Sequence, residues 1–313
     1  MLRRILTGAI GAMVVALSVS TPNTATAQQS SGRGITVTPL SFELYANPGE
    51  SVIEKVRIRN EADVAGSYQI IVEDFRAVGE EGEVDLVDDQ SNTSYSLAKW
   101  VFPEPKRFTI GAGEEKEIVF TINVPKNAEP GGHYASILVK MGGDSSDLAG
   151  QAGAAVSTRV GSLILLRVSG NVKEDAVVES FTTSQKRYQG SPVNFDLRVK
   201  NTGNNHIRPK GTIVITNMFG QKVTEVELNG LNVLPDAIRK METEWKFNAF
   251  LANRYTATLV ATYGQQSKPL SASTSFYIVP QSLVVALGVF GFILVGIVLG
   301  RKKIKRALHN MTK

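Results

Sequence analysis

The sequence predicts an all-β protein built of antiparallel sandwiches. Three observations carry that prediction. Apolar and polar residues alternate at period two through most of the chain, as half-buried strands require. Turn-forming stretches punctuate these runs, among them Asn47-Pro48-Gly49, Gly111-Ala112-Gly113, Glu129-Pro130-Gly131-Gly132 and Phe219-Gly220. Away from the two ends, no stretch places apolar residues three and four apart, the spacing of an amphipathic helix.

The N-terminus reads as a secretory signal peptide over residues 1–27. Arg3 and Arg4 precede an apolar run, and Ala25-Thr26-Ala27 supplies a small-x-small cleavage pattern. The alternative, an uncleaved first membrane helix, meets interruptions at Thr7, Gly8 and Gly11. The alternation starts next. Ile118, Phe120, Ile122 and Val124 point one way, with Val119, Thr121 and Asn123 opposed. Val193, Phe195, Leu197 and Val199 alternate with Asn194, Asp196, Arg198 and Lys200. Tyr255, Ala257, Leu259, Ala261 and Tyr263 repeat the pattern. A seven-strand immunoglobulin-like sandwich takes about 100 residues, so two tandem sandwiches are expected, at residues 34–169 and 171–280.

Residues 282–300, SLVVALGVFGFILVGIVLG, carry no charge. At 1.5 Å per residue this run is long enough to cross a hydrocarbon core, which predicts one transmembrane helix. Residues 301–313 form a basic tail with Arg301, Lys302, Lys303, Lys305 and Arg306 at its start. Cytoplasmic flanks carry excess Lys and Arg, so the expected topology is a single pass through the plasma membrane, ectodomain outside and tail inside.

This topology changes the meaning of the formal charge of +5. The two ends hold eight of the 34 Lys and Arg residues and none of the 29 acids. The segment between them is slightly acidic, and the basic balance is no nucleic-acid footprint. With no cysteine in the chain, thiol catalysis, zinc–cysteine sites and disulfides are excluded.

Candidate sites are few, and each has a plain alternative. The stretch 77–96 gathers Glu80, Glu81, Glu83, Asp85, Asp88 and Asp89. It offers oxygen ligands for calcium without the spacing of an EF-hand, and reads equally as a solvated loop. Residues 142–156, GGDSSDLAGQAGAAV, lack the lysine and following helix of a phosphate loop. They read as a mobile hairpin tip, either a contact surface or merely disordered. Ser96 and Lys99 match S-x-x-K by letter alone, with no helix expected there. His133 and His206 lie far apart in sequence. Residues 201–211, NTGNNHIRPKG, read as a strand-to-strand connection that could also bind. Trp100 and Trp245 read as packing residues rather than sugar platforms. Gly296 and Gly300 set a G-x-x-x-G spacing that would let two helices approach for self-association. No residue is assigned a catalytic, cofactor-binding or metal-binding role, no cofactor is expected, and the function is read as non-enzymatic.

Several of these residues carry a resemblance. Pro48-Gly49-Glu50 with the strand that follows, residues 126–134 (KNAEPGGHY) and residues 199–204 (VKNTGN) resemble the WxL-interacting protein family of bacterial cell surfaces. The resemblance implies immunoglobulin-like or pilus-chaperone-like sandwiches on a C-terminal anchor, which contact a surface protein or cell-wall glycan (peptidoglycan). The alternative is an accessory or assembly subunit of a membrane or surface-appendage complex, acting through its helix and sandwich edges.

Overall fold

The computed structural model describes residues 34–87, 94–141, 159–248 and 252–311. The expected signal peptide and the loop 142–156 lie outside the described residues. Two β-sandwiches follow one another, each with its own core.

The first sandwich contains β1 (Ile35–Thr38), β2 (Ser41–Ala46), β3 (Ser51–Asn60), β4 (Gly66–Val78), β5 (Glu83–Val87), β6 (Val101–Glu104), β7 (Arg107–Ile110), β8 (Glu115–Asn123), β9 (Gly131–Met141) and β10 (Arg159–Val168). One sheet has the order β1-β3-β8-β6; the other runs β2-β10-β9-β4-β5, with β7 also on β4. Alternation puts Val56, Ile58, Ile118, Phe120 and Ile122 of the first sheet against Ile137, Val139, Ile164 and Leu166 of the second, all fully buried. Phe42 meets Phe120 edge to face, with ring centroids 5.1 Å apart. The chain crosses between sheets at Pro39. β1 pairs antiparallel with β3, and β2 pairs parallel with β10.

The second sandwich contains β11 (Ala176–Thr183), β12 (Arg187–Tyr188), β13 (Val193–Asn201), β14 (Lys210–Asn217), β15 (Lys222–Glu227), β16 (Ile238–Trp245), β17 (Asn253–Tyr263) and β18 (Lys268–Ile278). Its sheets are β11-β13-β16 and β12-β18-β17-β14-β15. Phe276 sits at the centre of an aromatic group formed with Tyr188, Phe195, Trp245 and Tyr255. Trp245 packs in the core, and Trp100 packs half-buried on the first core.

A shared device closes one strand in each sandwich. Asn60 ends β3 fully buried. Its side-chain oxygen accepts from the N–H of Ala62 at 3.0 Å, and its amide donates to Val64 O at 2.8 Å and Gly111 O at 3.0 Å. Asn201 ends β13 the same way. It accepts from Gly203 N at 2.9 Å and donates to Asn205 O at 2.7 Å and Val233 O at 2.9 Å. Each asparagine replaces a turn of backbone pairing and satisfies carbonyls that burial cuts off from water.

Three expectations change. The acidic stretch 77–96 is not one loop, because β4 runs on to Val78 and β5 occupies Glu83–Val87. Val84, Leu86 and Val87 alone mark β5 as a strand, and an edge strand facing water tolerates acids at Glu83 and Asp85. Ala98–Trp100 form one turn of 3-10 helix where none was expected. The C-terminal helix α1 (Gln281–Met311) does not stop at Gly300. No Gly or Pro follows, and Arg, Lys, Leu and Ala favour helix, so it continues into the basic tail. Its first 18 residues have mean hydropathy 2.4, and among the described residues none of them is buried.

Candidate functional site

The strongest constellation of polar and aromatic side chains lies where the two sandwiches meet. Glycine builds its first part. Gly131 opens β9 at φ +133°, a conformation that L side chains rarely adopt. A Cβ there would lie 2.5 Å from Asn204 O. The close approach lets Gly132 N–H donate to that oxygen at 2.8 Å, and the Asn204 amide donates back to Pro130 O at 2.9 Å. Asn204 also accepts from Lys173 N at 2.8 Å. The stretch 201–211 is therefore a strand connection, as expected, and also a clasp on the first sandwich.

His206 and Arg208 extend the clasp. The Tyr134 hydroxyl lies 3.4 Å from His206 Nδ1. Burial pushes the Tyr134 phenol far up, so it stays protonated and donates. Burial holds His206 down to about 4, with Arg167 adding to the effect and Glu43 and Glu174 opposing it. Nδ1 is therefore the acceptor of a neutral ring. Arg208 pairs with Glu43 at 3.6 Å, and Asn232 donates to the same carboxylate at 2.7 Å. Arg167 and Glu174, both largely buried, pair at 2.5 Å beside them.

A second clasp lies at the β4–β5 turn. Glu80 pairs with Arg198, which holds its carboxyl below the usual range. Glu80 O accepts from Lys240 N at 2.8 Å, and Glu81 pairs with Lys240 at 3.3 Å. The Arg239 guanidinium lies where a Cβ on Gly82 would stand. Between the clasps is a cavity of about 370 Å³, lined by Phe75, Tyr95 and Tyr134 from one side and by residues 234–237 from the other. The Tyr95 hydroxyl donates to Asp236 at 3.3 Å across it.

The chemistry available here is structural. Ser96 donates to Asp74, whose other oxygen accepts from the N–H groups of Leu97 at 2.8 Å and Ala98 at 2.7 Å. Asp74 thus caps the 3-10 turn. The serine hydroxyl pairs with Asp74 and not with the nearby imidazole: His133 turns one ring nitrogen to the Ser96 main-chain O at 3.1 Å and the other to Glu129 O at 2.9 Å. Both its nitrogens are engaged with main chain, and the ring lies tilted against Trp100, centroids 4.5 Å apart. Three acids of 77–96 are engaged too, Glu80 and Glu81 as above and Asp85 with Arg76 at 2.9 Å; Asp88 and Asp89 lie outside the described residues. Among the described residues, no three His, Asp or Glu side chains gather as a metal site. Gly296 and Gly300 face open space on α1.

An open strand flank is the other feature, missed from sequence because it depends on pairing. Leu163 N–H donates to Leu40 O at 3.0 Å, toward β2. Strand alternation turns the N–H groups of Arg159 and Gly161 to the same side. β2 accompanies β10 only over residues 163–168. Among the described residues, no strand pairs with 159–162 on that side. Leu40, 75 % exposed, borders the gap.

No family model matches the chain, and no curated protein matches it. Solved structures resemble it at low TM-score. The class 5 fimbriae chaperone CfaA has TM-score 0.37 at 13 % identity, over 78 % of this chain and 99 % of its own. The chaperone DraB of E. coli has TM-score 0.34 at 11 % identity, over 79 % and 97 %. The CsuC–CsuE chaperone–tip adhesion subunit complex of Acinetobacter baumannii has TM-score 0.36 at 15 % identity, over 66 % and 89 %. The likeness is one of β-sandwich shape, followed here by an apolar helix.

Proposed function

We propose that this chain is a membrane-anchored, non-enzymatic binding protein that takes a protein partner by strand addition along the vacant flank of β10. In this reading residues 1–27 direct export, and 34–169 and 171–280 form a clasped frame outside the membrane. Residues 282–300 span the bilayer and 301–313 stay in the cytoplasm. The carrying observation is that, among the described residues, no strand pairs with the outer side of residues 159–162, beside exposed Leu40. A sheet edge with free N–H and C=O groups gives an extended peptide its main-chain affinity, and flanking apolar side chains give selectivity. The two clasps support the reading, because a rigid frame lowers the ordering cost of binding. The resemblance to WxL-interacting proteins belongs to the same reading and points to a surface protein as partner.

The test is a photo-crosslinker at exposed Leu40, beside the gap, in the full chain, in its own cells. A defined protein adduct, lost in Arg159→Pro and kept in Arg159→Ala, is the expected result. Proline removes a donor that faces the vacant side, so the β9–β10 ladder is untouched. Adducts released by a muramidase, or adducts equal in both variants, would overturn strand addition to a protein.

A further inference from the structure

The β14–β15 hairpin ends in two exposed apolar side chains, Met218 at 63 % and Phe219 at 76 %. This tip is built, not loose. Asn217 Oδ1 accepts from the N–H groups of Phe219 at 2.9 Å and Gln221 at 3.0 Å, and its amide donates to Gln221 Oε1 at 3.0 Å. Gly220 N–H donates to Asn217 O at 3.0 Å. Gly220, at φ +78°, completes a turn that holds both side chains outward.

Register fixes where the tip points. Asn217 pairs with Tyr255, and Tyr255 with Phe276. Two residues beyond Asn217, at about 3.4 Å each, bring Phe219 level with Ile278. Only Val279 and Pro280 separate Ile278 from α1. The tip and the root of the apolar helix therefore share one end of one sheet, two to three strands apart, or about 10–15 Å. The polar layer on each side of the hydrocarbon is about 5–8 Å deep, within reach of an aromatic side chain at that level. Exposed Lys186, Arg187, Lys222 and Arg254 lie at the same end. Tyr277, 46 % exposed, stands beside the helix root, where aromatic rings suit the interface.

We infer that this end of the second sandwich rests on the bilayer, with Met218 and Phe219 inserted among the lipid headgroups and the flanking cations on lipid phosphates. The inference rests on α1 spanning a membrane. Two contacts, helix and tip, fix the rotation of the frame about the helix axis, which one flexible link does not. They set the direction in which the β10 flank faces.

The cysteine-free chain makes single-label experiments clean. Nitroxides go on Phe219→Cys, Met218→Cys, Val289→Cys in the helix, and Val64→Cys, an exposed control far from the tip. The full chain is placed in nanodiscs of phosphatidylcholine with phosphatidylglycerol. Collision rates with oxygen and with a neutral nickel chelate report depth. The expected oxygen-to-nickel ratio at 219 and 218 is severalfold above that at 64. Ratios equal to that at 64, with 289 in hydrocarbon, overturn the inference and leave the anchor standing. A wet label at 289 overturns both. Strong dipolar coupling between labels at 219 shows a second copy covering the tip, and overturns lipid contact.

Discussion

Lowering the pH from 7 to 5 should cost this protein stability through His206. The ring is held near 4 in the folded chain, against 6.5 as its ordinary value. Above 6.5 neither the folded nor the unfolded ring binds a proton, and the buried neutral ring costs nothing. Between 6.5 and 4 the unfolded chain binds a proton that the folded chain refuses, so stability falls as the pH falls. Below 4 both are charged and the loss levels off. Two and a half units of separation give a loss of about 2 kcal/mol by pH 5, rising to about 3 kcal/mol at pH 4. His206→Gln keeps a partner for the Tyr134 hydroxyl and has nothing to titrate. Urea unfolding of the chain truncated before α1, followed by tryptophan fluorescence at pH 7 and pH 5, reads the effect. A slope of about 1–3 kcal/mol per molar makes the extra loss in the wild type a midpoint shift of about 1 M. Every other titrating group is common to both chains and cancels. Equal losses in wild type and His206→Gln would refute the claim that burial at the junction keeps this ring neutral.

Other outcomes follow from the same packing. Asn60→Ala and Asn201→Ala should each destabilise by about 2–4 kcal/mol, since each leaves buried carbonyls unpaired at about 1–3 kcal/mol apiece; thermal melts read this, and a change under 0.5 kcal/mol would count against the asparagine closures. Gly131→Ala should cost about 1–3 kcal/mol in backbone strain and also break the contact to Asn204. Gly113→Ala, at φ +67° with open space around its Cβ, should cost about 1–2 kcal/mol and leave the junction closed. Hydrogen exchange at the Gly132 amide separates the two, faster in the first variant and unchanged in the second.

What could be read from sequence was whatever water touches on one side. β13 shows clean alternation because its outer side chains are half-exposed, and β8 does so for the same reason. β9 does not. Residues 131–139 are buried on both faces, and at Gly132 and Tyr134 the second sandwich covers the side that would otherwise carry polar residues. GGHYASILV therefore reads as mixed rather than alternating. The clasp hid for a related reason. Asn204 meets Pro130 across 74 residues of sequence, and nothing local to NTGNN reports a partner at that distance. β5 hid because five residues with acids at two positions are a weak strand pattern.

The two asparagine closures show how the junction was made from a local device. Both use the same offsets, accepting from the N–H two residues on and donating to the carbonyl four residues on. In the first sandwich the enclosed turn is Glu61-Ala62-Asp63, mostly exposed. In the second it is Thr202-Gly203-Asn204, and the chain from 173 to 175 packs onto it. A Cβ at 203 would lie 2.2 Å from Lys173 O and 2.9 Å from Asp175 N, both backbone atoms with little room to yield. The equivalent position accepts alanine in one sandwich and glycine alone in the other. Gly203→Ala should therefore cost about 1–3 kcal/mol through overpacking and pull Asn204 from Pro130. Ala62→Gly, at the matching position, should cost no more than about 1 kcal/mol through added freedom of the unfolded chain. Urea midpoints of the two variants, with exchange at the Gly132 amide, decide the matter. A larger loss from Ala62→Gly, or a Gly203→Ala variant with the Gly132 amide still protected, would mean that the 173–175 chain gives way. Gly203 would then not be what ties the linker between the sandwiches to the clasp.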